Sequence, residues 1–231
     1  MRHSKIIILL GQPGAGKGTQ GILLSEKLDL YYFETSKLIE NKVMAAEKGE
    51  FVEVEGEKYF LEKEKDLWLK GILCSPPFVS FLVEQKIQEL AKEKKGILFS
   101  GSPRTIHEGE KIIPLLINLY GKENIKVISI LLSAEQSIWR NSHRRICKLM
   151  RHPILWTKET EHLKHCPLDG SELIKRKGLD DPEVIKTRLK EYKERTFPLI
   201  NYFKEQVLAI KEIKGEQTVA DVFADILKAI D

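Results

Sequence analysis

Cysteine is scarce in this 231-residue chain. Its three copies, Cys74, Cys147 and Cys166, are an odd number and leave a disulfide framework unexpected. No apolar run approaches the ~18 residues of a membrane span. Met1-Arg2-His3-Ser4-Lys5 leads straight into apolar Ile6, so neither signal peptide nor anchor is expected. Charge of one sign is scarce too: 38 Lys and Arg against 34 Asp and Glu leave a net +4. That excess is too mild to argue for nucleic acid, and no basic stripe interleaved with aromatics appears. The charged residues, 31% of the chain, alternate in sign and mostly describe solvated helix faces. A soluble cytoplasmic protein is expected, with one core of ordinary size and one or two small insertions.

What is present is concentrated near the start. Ile6-Ile7-Ile8-Leu9-Leu10 suits a strand buried on both faces. Gly11-Gln12-Pro13-Gly14-Ala15-Gly16-Lys17-Gly18-Thr19-Gln20 follows, and then a helical apolar pattern through Ile22, Leu23, Leu24 and Leu28. Strand, glycine loop and helix together bind phosphate. Glycines let backbone N–H groups converge on the anion, the helix N-terminus adds partial positive charge, and Lys17 can reach the terminal phosphates. Gly14, Ala15, Gly16, Lys17, Gly18 and Thr19 are therefore the expected triphosphate contacts, with the Thr19 hydroxyl available to nucleotide-bound Mg²⁺.

Short apolar runs at 6–10, 96–99, 125–132 and 207–213 alternate with helical patterns at 17–28, 35–47, 77–94, 108–120, 134–146, 181–205 and 218–230. The alternation predicts an α/β fold with a parallel sheet and helices on both faces. Two stretches interrupt it, roughly 34–74 and 141–179. The first contains a hairpin pattern over 49–60 that turns at Glu55-Gly56. Lys58 on that hairpin could add a phosphate contact, but a simple lengthening of the segment is the favoured reading.

The loop Gly-x-Pro-Gly-x-Gly-Lys-Gly-Thr resembles that of the adenylate kinase family of nucleoside monophosphate kinases, and the resemblance covers almost the whole chain. It implies a core of 1–33, 75–140 and 180–231, a monophosphate-binding insertion at 34–74 and a lid at 141–179. Phe99-Ser100-Gly101-Ser102-Pro103-Arg104-Thr105-Ile106-His107-Glu108 is similar to the family's Asp-Gly-Phe-Pro-Arg-Thr signature, with Ser100 and Ser102 as departures. The implied monophosphate site comprises Thr35, Glu40, Ile72, Leu73, Cys74, Gly101, Arg104, Glu108, Arg176 and Arg188. Arg140 and Arg144 match arginines on the ATP side, and 213–219 resembles the loop around the ATP base. The implied catalytic set is Lys17, Arg104, Arg144, Arg176 and Arg188.

Two of these positions reverse the family chemistry. Glu40 stands where an arginine clamps phosphate, and Glu108 where a glutamine reads adenine. An ionised Glu108 only accepts hydrogen bonds, which suits the two adjacent N–H donors of guanine better than adenine. The other reading is that Glu108 faces solvent or is protonated. In the lid, Cys147-Lys148-Leu149-Met150 and Cys166-Pro167-Leu168-Asp169 resemble a zinc knuckle. Met150 is a poor zinc ligand, and His152, His162 or His165 are the substitutes on hand. A relic of a site built on Cys147, Cys166 and Asp169 is the favoured reading over bound zinc.

The resemblance thus implies reversible transfer of the ATP γ-phosphoryl group to a monophosphate, AMP by default, with Mg²⁺ bound to ATP and with zinc as the less favoured second cofactor. Two alternatives stay open at this point: a kinase for GMP, UMP or CMP, and a nucleotide-binding relative with impaired catalysis. The expected partners are the two nucleotides, with no nucleic acid or membrane, and the chain is expected to act as a monomer.

Overall fold

A computed structural model describes residues 5–175 and 180–230. The chain enters through β1 (Ile6–Leu10), α1 (Lys17–Leu28) and β2 (Tyr31–Glu34). Next come α2 (Thr35–Met44), the hairpin β3 (Phe51–Val54) and β4 (Glu57–Phe60), then α3 (Leu61–Leu69) and α4 (Pro76–Lys92). β5 (Ile97–Ser100), α5 (Ile106–Tyr120), β6 (Ile125–Leu131) and α6 (Ala134–His143) follow. Three short strands, β7 (Arg145–Cys147), β8 (Pro153–Ile154) and β9 (Leu173–Ile174), precede α7 (Pro182–Glu191), α8 (Leu199–Glu205), β10 (Ile210–Lys214) and α9 (Val219–Ile230).

Among the described residues the central sheet has five parallel strands in the order β10-β6-β1-β5-β2. β1 lies in the middle, and every one of its five residues is buried. Side chains alternate between faces. Ile6, Ile8 and Leu10 meet Phe78 and Ile87 of α4, Leu116 of α5 and Phe203 of α8. Ile7 and Leu9 meet Leu24 of α1 and Ile226 of α9. Two helix layers on one sheet explain why β1 reads as an unbroken apolar run. No helix among the described residues is long and apolar enough to cross a membrane.

Several elements differ from the sequence expectation. The edge strand β2 was not expected, because its four residues alternate exposed Tyr31 with buried Phe33 inside a helix-rich stretch. The helix expected over 134–146 stops at His143. Arg144 is extended at its C-cap and Arg145 opens β7, so Arg140, Arg144 and Arg145 do not share one helix face. The helix expected over 181–205 is broken by a π-helical turn at Tyr192–Thr196 and by Pro198. The hairpin forms where the pattern placed it, with Glu55 and Gly56 both at positive φ. Its Lys58 ammonium lies 4.4 Å from the Phe51 ring centroid, and Lys111 of α5 pairs with Glu55 at 2.7 Å. Thus the hairpin leans on the core.

Candidate active site

β1 delivers the phosphate loop to the C-terminal edge of the sheet, where open parallel sheets bind ligands. Gly14 is at φ +83°, and a Cβ there would sit 2.6 Å from Asn141 Nδ2. Only glycine lets the loop lie this close to α6. The loop is also tied from outside. Gln12 Nε2 donates to the carbonyls of Leu132 (2.6 Å) and Ser133 (2.8 Å), and the Ser137 hydroxyl donates to Pro13 O. α1 starts at Lys17 with no acidic residue in its first turn, so its N–H groups and dipole favour an anion at the loop.

The Lys17 ammonium donates to the carbonyls of Gly11 and Gln12, the latter at 3.0 Å. Desolvation in the cleft, and then the guanidinium groups of Arg104, Arg188 and Arg144, hold its pKa well below the usual lysine range. Lys17 of α1, Arg104 of the β5–α5 loop and Arg188 of α7 line one cleft, and Arg144 at the C-cap of α6 lies near enough to add to the positive charge at Lys17. Such a convergence is built for a polyanion.

Beside the loop a cleft opens, which Gly11 and Pro13 of the loop also line. Lys17, Gly101, Arg104 and Arg188 line it from the core, and Ser36, Trp68, Gly71, Ile72 and Leu73 from the segment between β2 and α4. Glu191, Tyr192 and Thr196 close its far side. Leu73 is fixed there: its N–H donates to Glu191 Oε2 (3.0 Å), and its carbonyl accepts from Arg195 (3.4 Å). Arg195 also pairs with Glu191 at 3.0 Å. At Gly101 a Cβ would lie 2.8 Å from Arg104 Nη2, so the glycine leaves room for the guanidinium.

Other expected acceptor residues are directed elsewhere. Thr35 Oγ1 donates to Ser102 Oγ at 2.9 Å, both buried. Cys74 is buried, its thiol donating to Glu64 O (3.5 Å), and burial pushes that thiol up to about 12. Glu108 is 2% exposed and does not face solvent. Its carboxylate accepts from Arg104 N–H (2.9 Å) and the Thr105 hydroxyl (3.1 Å), while its own N–H donates to Thr105 Oγ1 (3.2 Å). Thr105 thus caps α5, and the Glu108 side chain reaches back past the cap to the N–H of Arg104. Burial pushes the Glu108 carboxyl above its ordinary value, against the opposing effect of those donors. Glu40 pairs with Arg151 of the β7–β8 turn at 3.8 Å. Arg176 lies outside the described residues.

On the other side of the loop, Arg140 Nη2 donates to Gly215 O (2.8 Å), Gly215 N–H to Leu131 O (2.8 Å) and Ser133 N–H to Glu216 Oε1 (2.8 Å). Arg140 thus meets the loop expected to surround the ATP base. Between β7 and β9, Cys147, His152, Cys166 and Asp169 bring their ligand atoms within 4.8 Å of one another. His152 takes the place that Met150 could not; Met150 itself is 64% exposed.

Residue type alone did not single out Gln12, Ser137, Trp68 or Glu191. Gln12 sits inside the loop motif and could have been suspected. The other three act through contacts between distant segments, which no local pattern encodes.

A parallel sheet with a phosphate loop, whose lysine shares a cleft with arginines from two other segments, has the make-up of a phosphotransferase. That is the class of the nucleoside monophosphate kinases. Comparison with known proteins narrows it: the profile of the family described as adenylate kinase matches residues 9–208. The chain belongs to the adenylate kinase family. It is 34% identical to the adenylate kinase of Caldicellulosiruptor bescii over 229 residues, covering 97% of this chain and 98% of that one. It is 33% identical to that of Methanocella arvoryzae (96% and 97% covered) and 30% to that of Clostridioides difficile (97% of each).

Proposed function

We propose that the chain moves the γ-phosphoryl group of ATP to AMP, giving two ADP, and does so reversibly. The observation that carries this reading is that Lys17, Arg104 and Arg188 line one cleft beside the phosphate loop. The acceptor is itself a phosphate oxygen, so no general base is needed. Alignment, charge neutralisation and exclusion of water supply the catalysis. In this reading Gly14 to Thr19 hold the donor phosphates and Arg140 flanks the donor base. Arg104 and Arg188 grip the acceptor phosphate, while Lys17 and Arg144 neutralise the group in flight. Arg176 is assigned with them on its sequence match alone. Thr19, two residues into α1, carries a hydroxyl suited to Mg²⁺, and Mg²⁺ bound to ATP supplies further charge neutralisation.

The segments 34–74 and 141–179 are assigned as the two parts that close on the core 1–33, 75–140 and 180–231 and exclude water. AMP is favoured as acceptor because the two carboxylates that raised the question, Glu40 and Glu108, both have partners within the protein. A coupled assay with AMP, GMP, CMP and UMP tests this. AMP should exceed the others by at least a hundredfold in kcat/KM, and a better rate with any other monophosphate would refute it.

We also infer that the lid holds one zinc ion. Two thiols, an imidazole and a carboxylate suit tetrahedral Zn²⁺. The Asp169 carboxylate lies 3.0 Å from Cys147 Sγ and 3.3 Å from His152 Nδ1, and Cys166 Sγ lies 3.7 Å from that nitrogen. His152 removes the reason for reading the site as a relic. Elemental measurement on purified protein should find about one zinc per chain, lost in Cys147→Ala. A metal-free protein that takes up no added zinc would refute it.

A further inference from the structure

The carboxylate at position 40 has a counterpart on the lid. Glu40 lies on α2, one helical turn beyond the cleft residue Ser36 and on the same face. Its Oε1 is 3.8 Å from Arg151 Nη1. Arg151 belongs to the tight turn between β7 and β8. It sits at φ +59°, with its N–H donating to Cys147 O at 3.1 Å. The next residue closes the turn: Cys147 N–H donates to His152 O (3.1 Å), and His152 N–H to Cys147 Sγ (3.1 Å). From this tight turn the Arg151 side chain reaches Glu40 of α2.

We infer that Glu40 and Arg151 are positioning residues forming a latch between the acceptor flap and the lid, so that binding on one side of the cleft favours closure on the other. The inference rests on the phosphotransfer reading above. An arginine at position 40 would serve the acceptor phosphate directly. A glutamate cannot, but it draws a lid guanidinium to the flap instead. The pair is half-exposed, with 54% of the Arg151 side chain and 28% of Glu40 open to solvent. A partly screened pair at this distance corresponds to a coupling of about two- to fivefold in affinity, weakening with salt.

The test measures AMP affinity by calorimetry with and without a non-transferring ATP analogue, on wild type, Glu40→Gln, Arg151→Gln and the double variant. In wild type each nucleotide should tighten the other. Each single variant should lose about two- to fivefold of that coupling, the double variant no more than either single, and Arg151→Lys should retain part of it. Added salt should abolish the difference between wild type and the variants. Additive losses, or coupling unchanged in both single variants, would overturn the latch while leaving the phosphotransfer reading intact. So would a tenfold gain in AMP affinity for Glu40→Gln without the analogue, since the carboxylate would then act by repelling phosphate. A wild type that makes no ADP from ATP and AMP would overturn the phosphotransfer reading and the latch with it.

Discussion

Glu108 offers the sharpest separation between two roles for one carboxylate. Replacing it with alanine leaves the Arg104 N–H and the Thr105 hydroxyl without acceptors in a site that is 2% exposed. A buried donor left unmade costs about 1–3 kcal/mol, and two lose their acceptor here, while the Thr105 cap on the residue-108 N–H survives. Glu108→Ala should therefore lose about 2–4 kcal/mol, or ~4–16 °C in melting temperature for a chain of this size. Glutamine should behave differently. Its carbonyl can accept from Arg104 N–H, and its amide can donate to the Thr105 hydroxyl, which rotates to accept. Glu108→Gln should thus stay within about 1 kcal/mol of wild type. It also removes a negative charge beside the Arg104 guanidinium. A unit charge within a few ångströms is worth about 1 kcal/mol even at the dielectric of water, so AMP affinity should rise roughly fivefold. The pH dependence follows from the raised pKa of Glu108. Between its ordinary value and its folded value the folded chain holds more protons than the unfolded one. Wild-type stability must fall as pH rises through that window, and the Gln variant must lack this component. Thermal melting across pH and AMP titration calorimetry measure both effects. A loss below 1 kcal/mol in the Ala variant, or weaker AMP binding in the Gln variant, would refute the reasoning.

Two further substitutions probe the convergence of cations. Lys17→Met should lower turnover at least a hundredfold, by loss of a preorganised charge on the transferred group. Because Lys17 titrates below its ordinary 10.5, the unfolded chain holds more protons over that interval, and wild-type stability should rise with pH there; denaturant melts should show this component gone in the Met variant. Gly71→Ala acts on the cleft wall, where a Cβ at φ +73° would lie 2.6 Å from Val184 Cγ1 and 2.9 Å from Arg188 Cγ. It should cost about 1–3 kcal/mol and displace Arg188, with kcat falling more than tenfold in a coupled assay and a lowered melting temperature.

Much of the fold was legible because its signals are local. β1 is five apolar residues with helix layers on both faces, and no other placement would hide all five. The Glu55-Gly56 turn needed two residues at positive φ, and the alternation around it set the register. The failures share a cause. β2 is a short edge strand whose periodicity Tyr31 and Tyr32 blur. The end of α6 depends on where Arg144 and Arg145 are needed, not on helix propensity. Among site residues, Lys17 and the loop glycines were legible because backbone geometry demands them. His152 was only one of three candidate histidines, since the choice depends on how the β7–β8 turn folds. Trp68 and Glu191 carry no local signal, because what makes them part of the cleft is the packing of α3 and α7 against Leu73 and its neighbours.

The two substituted carboxylates illustrate how a phosphate site tolerates negative charge. On the proposed assignment, a free carboxylate beside Arg104 would compete with the acceptor phosphate for the same guanidinium. The structure avoids this by giving each carboxylate a nearer claim. Glu108 accepts from a backbone N–H and a hydroxyl, and so orders the residue that bears the guanidinium without capping the guanidinium itself. Glu40 faces the Arg151 guanidinium of the β7–β8 turn. Changes at positions 40 and 108 should therefore act on AMP affinity and, at position 40, on the coupling between the sites, and leave ATP affinity measured without AMP close to its wild-type strength. Loss of ATP affinity in the absence of AMP would contradict this division.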